Sequence, residues 1–299
     1  MKTLVLASGL VLPPIGYGTF PLKERLVESV PLAIAGGCRL VDTSDNYHNE
    51  EFVGRGLAAC GPSREDVVVV TKFSSPLRTR TLAKCFAAAE RRLGGRIDVF
   101  LLHWPYPFLW REQWRRMEDL YLAGRCRAIG VCNFDRHRLE RLLACCRVRP
   151  MIDQFERHPL FQQDETARFC RENGIAVMCY SPLARMNRRM LQNPVLAEIA
   201  ARYGKTVGQV VLRWSVEKGD VPIPASGSER HIRENLDIFD FSLTEEDIRS
   251  IDALEAGVRI RFDPARRFTA WDKVRFLWCR TKLAVRSCLD RVYGEEHGT

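Results

Sequence analysis

Residues 67–73 read VVVVTKF, four consecutive valines running into a lysine. A stretch so uniformly apolar suits a strand buried on both faces, the environment of a parallel sheet. Lys72 then stands where that strand would surface. Working outward, the arrangement repeats. Upstream, VDTSDNYHN at 41–49 puts Asp42 at the end of one apolar run and Tyr47 five residues beyond it; downstream, VFLLHWP at 99–105 runs into His103. An Asp, a Tyr, a Lys and a His are poor material for a core, so their repeated delivery to one kind of position bears on function.

The alternation extends along the chain. Short apolar runs at 15–19, 39–42, 67–72, 98–103, 128–132, 151–155, 176–180 and 221–224 read as strands. Between them, 81–93, 111–123, 136–146, 164–173, 194–203 and 207–218 carry apolar residues at spacings of three and four, the helical period. Gly94, Gly95, Gly124, Gly174 and Gly219 stand where helices should stop. Repeated strand–helix units predict an α/β fold, a (β/α)8 TIM barrel. The competitor is an open doubly wound sheet. Against it, no G-x-G-x-x-G follows the early strands, and the charged residues stand at several strand ends instead of at one switch point.

The segment KTLVLASGLVLPP predicts an N-terminal β-hairpin turning at Ser8 and Gly9 and capping the bottom of the barrel. Pro31 falls inside what would be the first helix and leaves two readings. Either Ser29 caps a helix starting at Val30, with Pro31 in its first turn, or the helix kinks there. Thr244 lies three residues before Asp247, a capping-box spacing that predicts a helix from near Glu245. A last stretch, 271–293, segregates apolar from basic residues as an extra C-terminal basic amphipathic helix. The chain thus divides into a barrel over 1–268 and a helical extension over 269–299. Packing of that helix on its own barrel is the plain reading; contact with a membrane surface or a protein partner is the other.

Composition sets outer bounds. A chain of 299 residues, 46% apolar, can bury the core of one barrel-sized domain. The 46 basic against 37 acidic residues give +9, which favours anionic ligands such as nucleotides and phosphates. No interleaved aromatic and basic motif accompanies that charge, which argues against nucleic acid. Eleven cysteines, an odd count without any C-x-x-C spacing, read as reduced thiols and point to a cytoplasmic protein. The apolar start MKTLVLASGLVLPP is short, is broken by Ser8 and Gly9, and leads straight into structural chain, so it does not read as an export signal. No run approaches the roughly 18 apolar residues of a membrane-spanning helix.

In a (β/α)8 barrel the carboxyl ends of the strands converge on one mouth, so Asp42, Tyr47, Lys72 and His103 are expected to share a cavity. A free phenol has a pKa of about 10 and is a weak acid at neutral pH. An ammonium held against it stabilises the phenolate, and a carboxylate behind keeps the lysine charged. His103 can hydrogen-bond and orient a carbonyl oxygen. Each alone reads as an ordinary rim residue; four at neighbouring strand ends read as a catalytic set without a metal.

With those residues in place, a resemblance follows. GYGTF, VDTSDNYHNEEFVG, VVVVTKF, FLLHWP, AIGVCNF, DQFERHP, YSPL and GQVVLRW with VPIPAS and IRENLDIFDF resemble the aldo-keto reductase family in order, spacing and wording, from the hairpin to about Phe268. The resemblance implies reversible, NADPH-dependent reduction of a small-molecule aldehyde or ketone to an alcohol, with hydride from the nicotinamide and a proton from Tyr47. It implies a cofactor site made of Gly18 and Thr19; of Cys132, Asn133 and Gln154 at the carboxamide; and of Tyr180 stacked on the nicotinamide. Ser181, Leu183, Ser226 and His231 fall near the phosphates, and Glu234 and Asn235 near the adenine. It implies substrate-pocket walls at Phe20, Trp104 and Phe108. A second reading is a catalytically weak nucleotide-binding barrel that serves as a redox sensor or regulatory subunit of a partner protein, motivated by the basic helix.

Three positions depart from the family pattern. Cys132 replaces the usual serine, a weaker hydrogen-bond partner. Ala225 and His231 replace the lysine and arginine that neutralise the 2′-phosphate of NADPH, which opens the site to NADH, since charge-assisted bonds to phosphate are the strong ones. Arg230, His231 and the basic loop Arg185, Arg188 and Arg189 are the candidates to compensate. Asp153 replaces the usual asparagine before Gln154. The arginine-rich stretch 259–268 reads as a lid over the mouth, its charges either solvated or drawing an acidic substrate.

Overall fold

The structure, a computed structural model, describes residues 4–61, 66–75, 79–106 and 109–261. Phe108, the expected helix at 271–293 and most of the expected lid lie outside the described residues. A hairpin of β1 (Leu4–Val5) and β2 (Val11–Leu12) opens the chain, turning through Gly9 at φ 80°. Eight parallel strands follow, adjacent in space in the order of the sequence: β3 (Tyr17–Gly18), β4 (Leu40–Asp42), β5 (Val68–Phe73), β6 (Val99–Leu102), β7 (Ala128–Cys132), β8 (Ile152–Glu156), β9 (Ala176–Tyr180) and β10 (Val221–Pro222). Each falls in one of the eight expected runs, overshooting its end by at most one residue. The edges meet as well. Gly16 N donates to Pro222 O at 2.9 Å and Gly18 N to Pro224 O at 2.9 Å, closing the sheet into a barrel.

The valine run explains itself by the two-residue period of a strand. Val68 and Val70 enter the inner cluster with Leu40, Val99, Leu101, Ile152 and Met178, whereas Val67, Val69 and Phe73 join the layer between sheet and helices. Leu6, Leu10 and Leu12 of the hairpin belong to the inner cluster, so the hairpin plugs that end of the barrel as expected.

The outer layer contains α1 (Leu26–Ala35), α2 (Glu50–Ala58), α3 (Leu82–Arg92), α4 (Trp110–Leu122), α5 (Arg136–Leu143), α6 (Asp164–Glu172), the short α7 (Arg188–Leu191), α8 (Pro194–Tyr203), α9 (Val207–Glu217), α10 (Glu229–Leu236) and α11 (Glu245–Asp252). The six helices expected from periodicity are present; α2, α7 and α10 were not anticipated. The Ser29 cap is corrected: α1 begins at Leu26 and runs through Pro31, and the buried Ser29 Oγ lies at hydrogen-bond distance, 2.8 Å, from the Tyr17 hydroxyl. Thr244 and Asp247 form the expected capping box at the start of α11. Among the described residues no helix is long and apolar enough to cross a membrane.

Candidate active site at the barrel mouth

The parity that sends Leu40, Val70, Leu101, Ile152 and Met178 inward also sends inward Asp42, Lys72, His103, Gln154 and Tyr180, each an even number of residues further on. Beyond the last apolar layer, polar groups therefore meet. Lys72 Nζ donates to Asp42 Oδ2 at 2.6 Å, to Thr43 O at 2.8 Å and to Tyr47 Oη at 3.4 Å. Gln154 Nε2 donates to Asp42 Oδ1 at 2.8 Å, so both carboxylate oxygens are engaged. Tyr47 sits on a single 3-10 turn, Asp45–Tyr47, in which the Asn46 N–H is met by Ser44 Oγ at 3.4 Å.

Both titrating partners are shifted. Burial opposes the charge of Lys72, but Asp42 and then Tyr47 outweigh it and hold the amine above the ordinary lysine range. For Tyr47, burial pushes the phenol up, Lys72 pulls it down and Asp42 pushes it up again, leaving it above the ordinary tyrosine value. The expectation from sequence counted the ammonium and omitted the desolvation, which is the larger effect here.

His103 is held on several sides. Its Nδ1 lies 2.6 Å from Ser74 Oγ and 3.0 Å from Ser44 Oγ, its ring stacks on Trp104 at 5.1 Å, and it meets Tyr47 edge-on at 5.8 Å. The two serines were missed by sequence reasoning; the available signal was that each lies two residues past a strand-end charge, Asp42 or Lys72.

The expected carboxamide residues lie behind this group. Asn133, at φ 62°, takes the left-handed conformation that Asn tolerates, and bridges His103 O (3.1 Å from Nδ2) and the Tyr180 hydroxyl (2.7 Å from Oδ1). Cys132 is fully buried in the inner cluster, and burial raises its thiol well above the ordinary value, so it stays neutral. Asp153, of opposite parity to Gln154, points away from the cavity. Burial raises its carboxyl well above the usual range; the Phe134 backbone moderates this, yet neither oxygen completes a hydrogen bond among the described residues.

The mouth holds a cavity of about 490 Å3, lined by Tyr47, His103 and Trp104 at one side and by Tyr180, Ser181 and Leu183 at another. Gly18, Thr19, Phe20 and Ala225 also border it. Ser181, Ala184, Arg185 and Met186 all have positive φ without being glycine, a concentration of unusual backbone that tends to mark functional loops. The residues expected at the far end of the cofactor lie on or just before α10: Ser226, whose carbonyl accepts from Tyr17 Oη at 2.6 Å, exposed His231, and half-buried Glu234 and Asn235. Arg230 lies 3.0 Å from His231 Nε2, and Arg25, a cation the sequence reading did not consider, packs against Gly227. Among the described residues no His, Cys, Asp and Glu cluster could hold a metal ion.

Comparison with known proteins agrees with this geometry. A sequence model of the Aldo/keto reductase family matches residues 14–256. The chain is 40% identical over 266 residues to a glyoxal reductase of Bacillus subtilis (strain 168), covering 88% of this chain and 96% of that protein. Among solved structures it resembles MGS-M4, an aldo-keto reductase from a Medee basin deep-sea metagenome library, with TM-score 0.84 and 34% identity over 86% of this chain and 97% of that one. It also resembles a Bombyx mori aldo-keto reductase in complex with NADP, with TM-score 0.83 and 30% identity over 89% of this chain and 96% of that one. With the family match spanning most of the barrel and relatives covered almost end to end, this chain belongs to the aldo-keto reductase family of oxidoreductases.

Proposed function

We propose that this enzyme reduces small aldehydes and ketones to alcohols at the barrel mouth, with NADPH as reductant and Tyr47 as the proton donor. The observation that carries the reading is the Asp42–Lys72–Tyr47 chain, 2.6 Å and 3.4 Å between polar atoms, ending in a cavity beside His103. Tyr47 keeps its proton at neutral pH, as an acid must, and Lys72 stabilises the phenolate left after the proton moves to the carbonyl oxygen. Asp42 keeps the ammonium charged. His103, its Nδ1 engaged by two serines, would meet the carbonyl oxygen through Nε2.

The residues present fit a nicotinamide dinucleotide, because one cavity runs from Tyr47 past the Tyr180 ring to Ser181 and Ala225, with the Asn133 and Gln154 amides behind it. When bound, the reduced nicotinamide supplies the hydride. Gly18 and Thr19 border that path, Ser226 and His231 take the phosphate end, and Glu234 and Asn235 the adenine. Phe20 and Trp104 wall the substrate. Ala225 and His231 leave the 2′-phosphate with weaker charge partners than a lysine and an arginine, so NADH enters as a second reductant. The match to a glyoxal reductase favours a small, reactive carbonyl compound. Nine free cysteines among the described residues accord with a reducing, cytoplasmic setting. We treat 1–268 as the catalytic unit and 269–299 as an extension.

The test is loss of NADPH absorbance with 4-nitrobenzaldehyde. Tyr47→Phe is expected to lower kcat by about 100-fold or more, the usual weight of a general acid, while NADPH still quenches protein fluorescence. Undiminished turnover by that variant, or tight cofactor binding by the wild type with no turnover on a range of carbonyl probes, would overturn the reading.

A further inference from the structure

We propose that Asn49 is a positioning residue that sets the substrate preference of this cavity, by fixing the turn that carries Phe20 against Tyr47; the inference rests on the carbonyl-reducing role proposed above. The argument starts at a helix cap that is not used. Asn49 stands at the N-cap of α2, where an asparagine side chain ordinarily accepts from the N–H groups of the first turn. Here it makes no such bond, although the residue is buried, with 1% of its surface exposed. The side chain forgoes its local stabilising role for partners elsewhere.

Those partners belong to the turn after β3. Asn49 Nδ2 donates to Thr19 O at 3.1 Å, to Thr19 Oγ1 at 3.3 Å and to Leu22 O at 3.0 Å, while Oδ1 accepts from Thr43 Oγ1 at 2.7 Å. One amide thus grips both ends of the turn 19–22, which Leu22 N closes onto Thr19 O at 2.8 Å. The Thr19 end has a second anchor, since its N and Oγ1 both donate to Asp42 O, at 3.1 Å and 2.9 Å. The Leu22 carbonyl is held by Asn49. Removing a buried donor leaves its acceptors unpaired, so loss of this amide frees the far end of the turn first.

That turn delivers one wall of the pocket. Phe20, inside it, lines the cavity, and its ring lies 5.0 Å from the Tyr47 ring at an angle of 51°. The ring is 39% exposed, so it lacks the close packing that locks a core side chain in place. Arg185 and Arg261 meet the ring, at 5.8 Å and 5.3 Å; its backbone is placed by the turn, and the turn by Asn49. Asn49 lies two residues after Tyr47, so one side chain ties the segment of the proton donor to the wall facing it. The substrate class that follows is a carbonyl compound with a flat apolar group beside the reacting carbon, which lies against Phe20. A two-carbon dicarbonyl such as glyoxal has no ring to lay there and does not depend on the wall.

The experiment uses the full chain with NADPH and compares kcat/KM for 4-nitrobenzaldehyde and glyoxal. Asn49→Ser, which still offers a helix cap but is too short to grip the turn, is expected to lower the ratio of the two by about threefold or more, the weight of one aromatic contact, with the loss in KM for the aromatic aldehyde. Asn49→Asp, which keeps an acceptor for Thr43 and loses both donors, should lower the ratio in the same direction. Built on Phe20→Ala, Asn49→Ser should leave the ratio unchanged, because the ring it positions is gone. An unchanged ratio in Asn49→Ser, equal losses on both substrates, or the same loss in the Phe20→Ala background would overturn the inference, the last by showing that Asn49 acts through something other than this ring. Failure of both Asn49 variants to fold would assign the residue to stability and overturn it as well. A wild type inert toward both compounds would instead sink the proposed function itself, and this inference with it.

Discussion

In the proposed reaction Tyr47 releases a proton where burial makes release harder, and the offset comes from one ammonium. In the cofactor-free enzyme desolvation outweighs Lys72, so the phenol is expected to titrate above its ordinary value of about 10. Ultraviolet difference titration of wild type against Tyr47→Phe reads this directly; a tyrosinate signal well below pH 10 would show that the ammonium dominates. That the four strand-end residues would meet at one mouth was legible in the sequence, because a core has no use for those residue types at those positions. The sign of the Tyr47 shift was not, since desolvation depends on neighbours distant in sequence. The same holds for the clamp on His103 by Ser44 and Ser74. Asp153 shows a second effect of burial. Its folded-state pKa is raised, so its contribution to stability is greatest below the unfolded value of about 4 and is lost as pH rises, at about 1.4 kcal/mol per pH unit until the buried carboxyl ionises. Asp153→Asn removes that dependence. Its stability advantage over wild type, from urea unfolding midpoints, should grow from pH 4 upward and then level off; a pH-independent difference would contradict the buried acid.

At the scale of elements, periodicity worked where a single force set the pattern. Strands buried on both faces and helices with one apolar face announce themselves, and so eight strands and six helices stood where expected. Propensity misled where packing overrode it. Gly54 and Gly56 discourage a helix by about 1 kcal/mol each, yet α2 contains both. The reason is close approach: a Cβ would fall 2.1 Å from Arg92 O at Gly54 and 2.6 Å from Leu26 O at Gly56, so only glycine lets α2 lie against its neighbours. Pro31 is the same lesson in α1, where Val30, Ala33 and Ile34 bury the helix on the core and hold it through the missing N–H. The loop from Ser181 to Met186 lacks glycine altogether, so nothing in its composition announced four left-handed residues. Its shape follows from the ends it joins.

Barrel closure belongs to no single element. β3 and β10 come from opposite ends of the barrel sequence, and their two backbone hydrogen bonds are what turn a curved sheet into a cavity with one mouth. Two glycines make room for that seam in different ways. A Cβ at Gly16 would sit 2.4 Å from Leu40 Cδ2, the end of a side chain that can rotate, whereas one at Gly18 would sit 2.7 Å from Ile223 O, which is backbone. Gly18→Ala must therefore push β3 away from the segment after β10. That strain is expected to cost about 1–3 kcal/mol, read from the urea midpoint, and Gly16→Ala less, since Leu40 can give way. Because Gly18, Ile223 and Ala225 all border the cavity, widening the seam moves the walls of the proposed cofactor site. NADPH affinity should fall together with stability in Gly18→Ala, by fluorescence titration of the folded protein. Unchanged stability with unchanged affinity would mean that the seam is slack and that closure is held elsewhere, by the hairpin plug and the inner apolar layers alone.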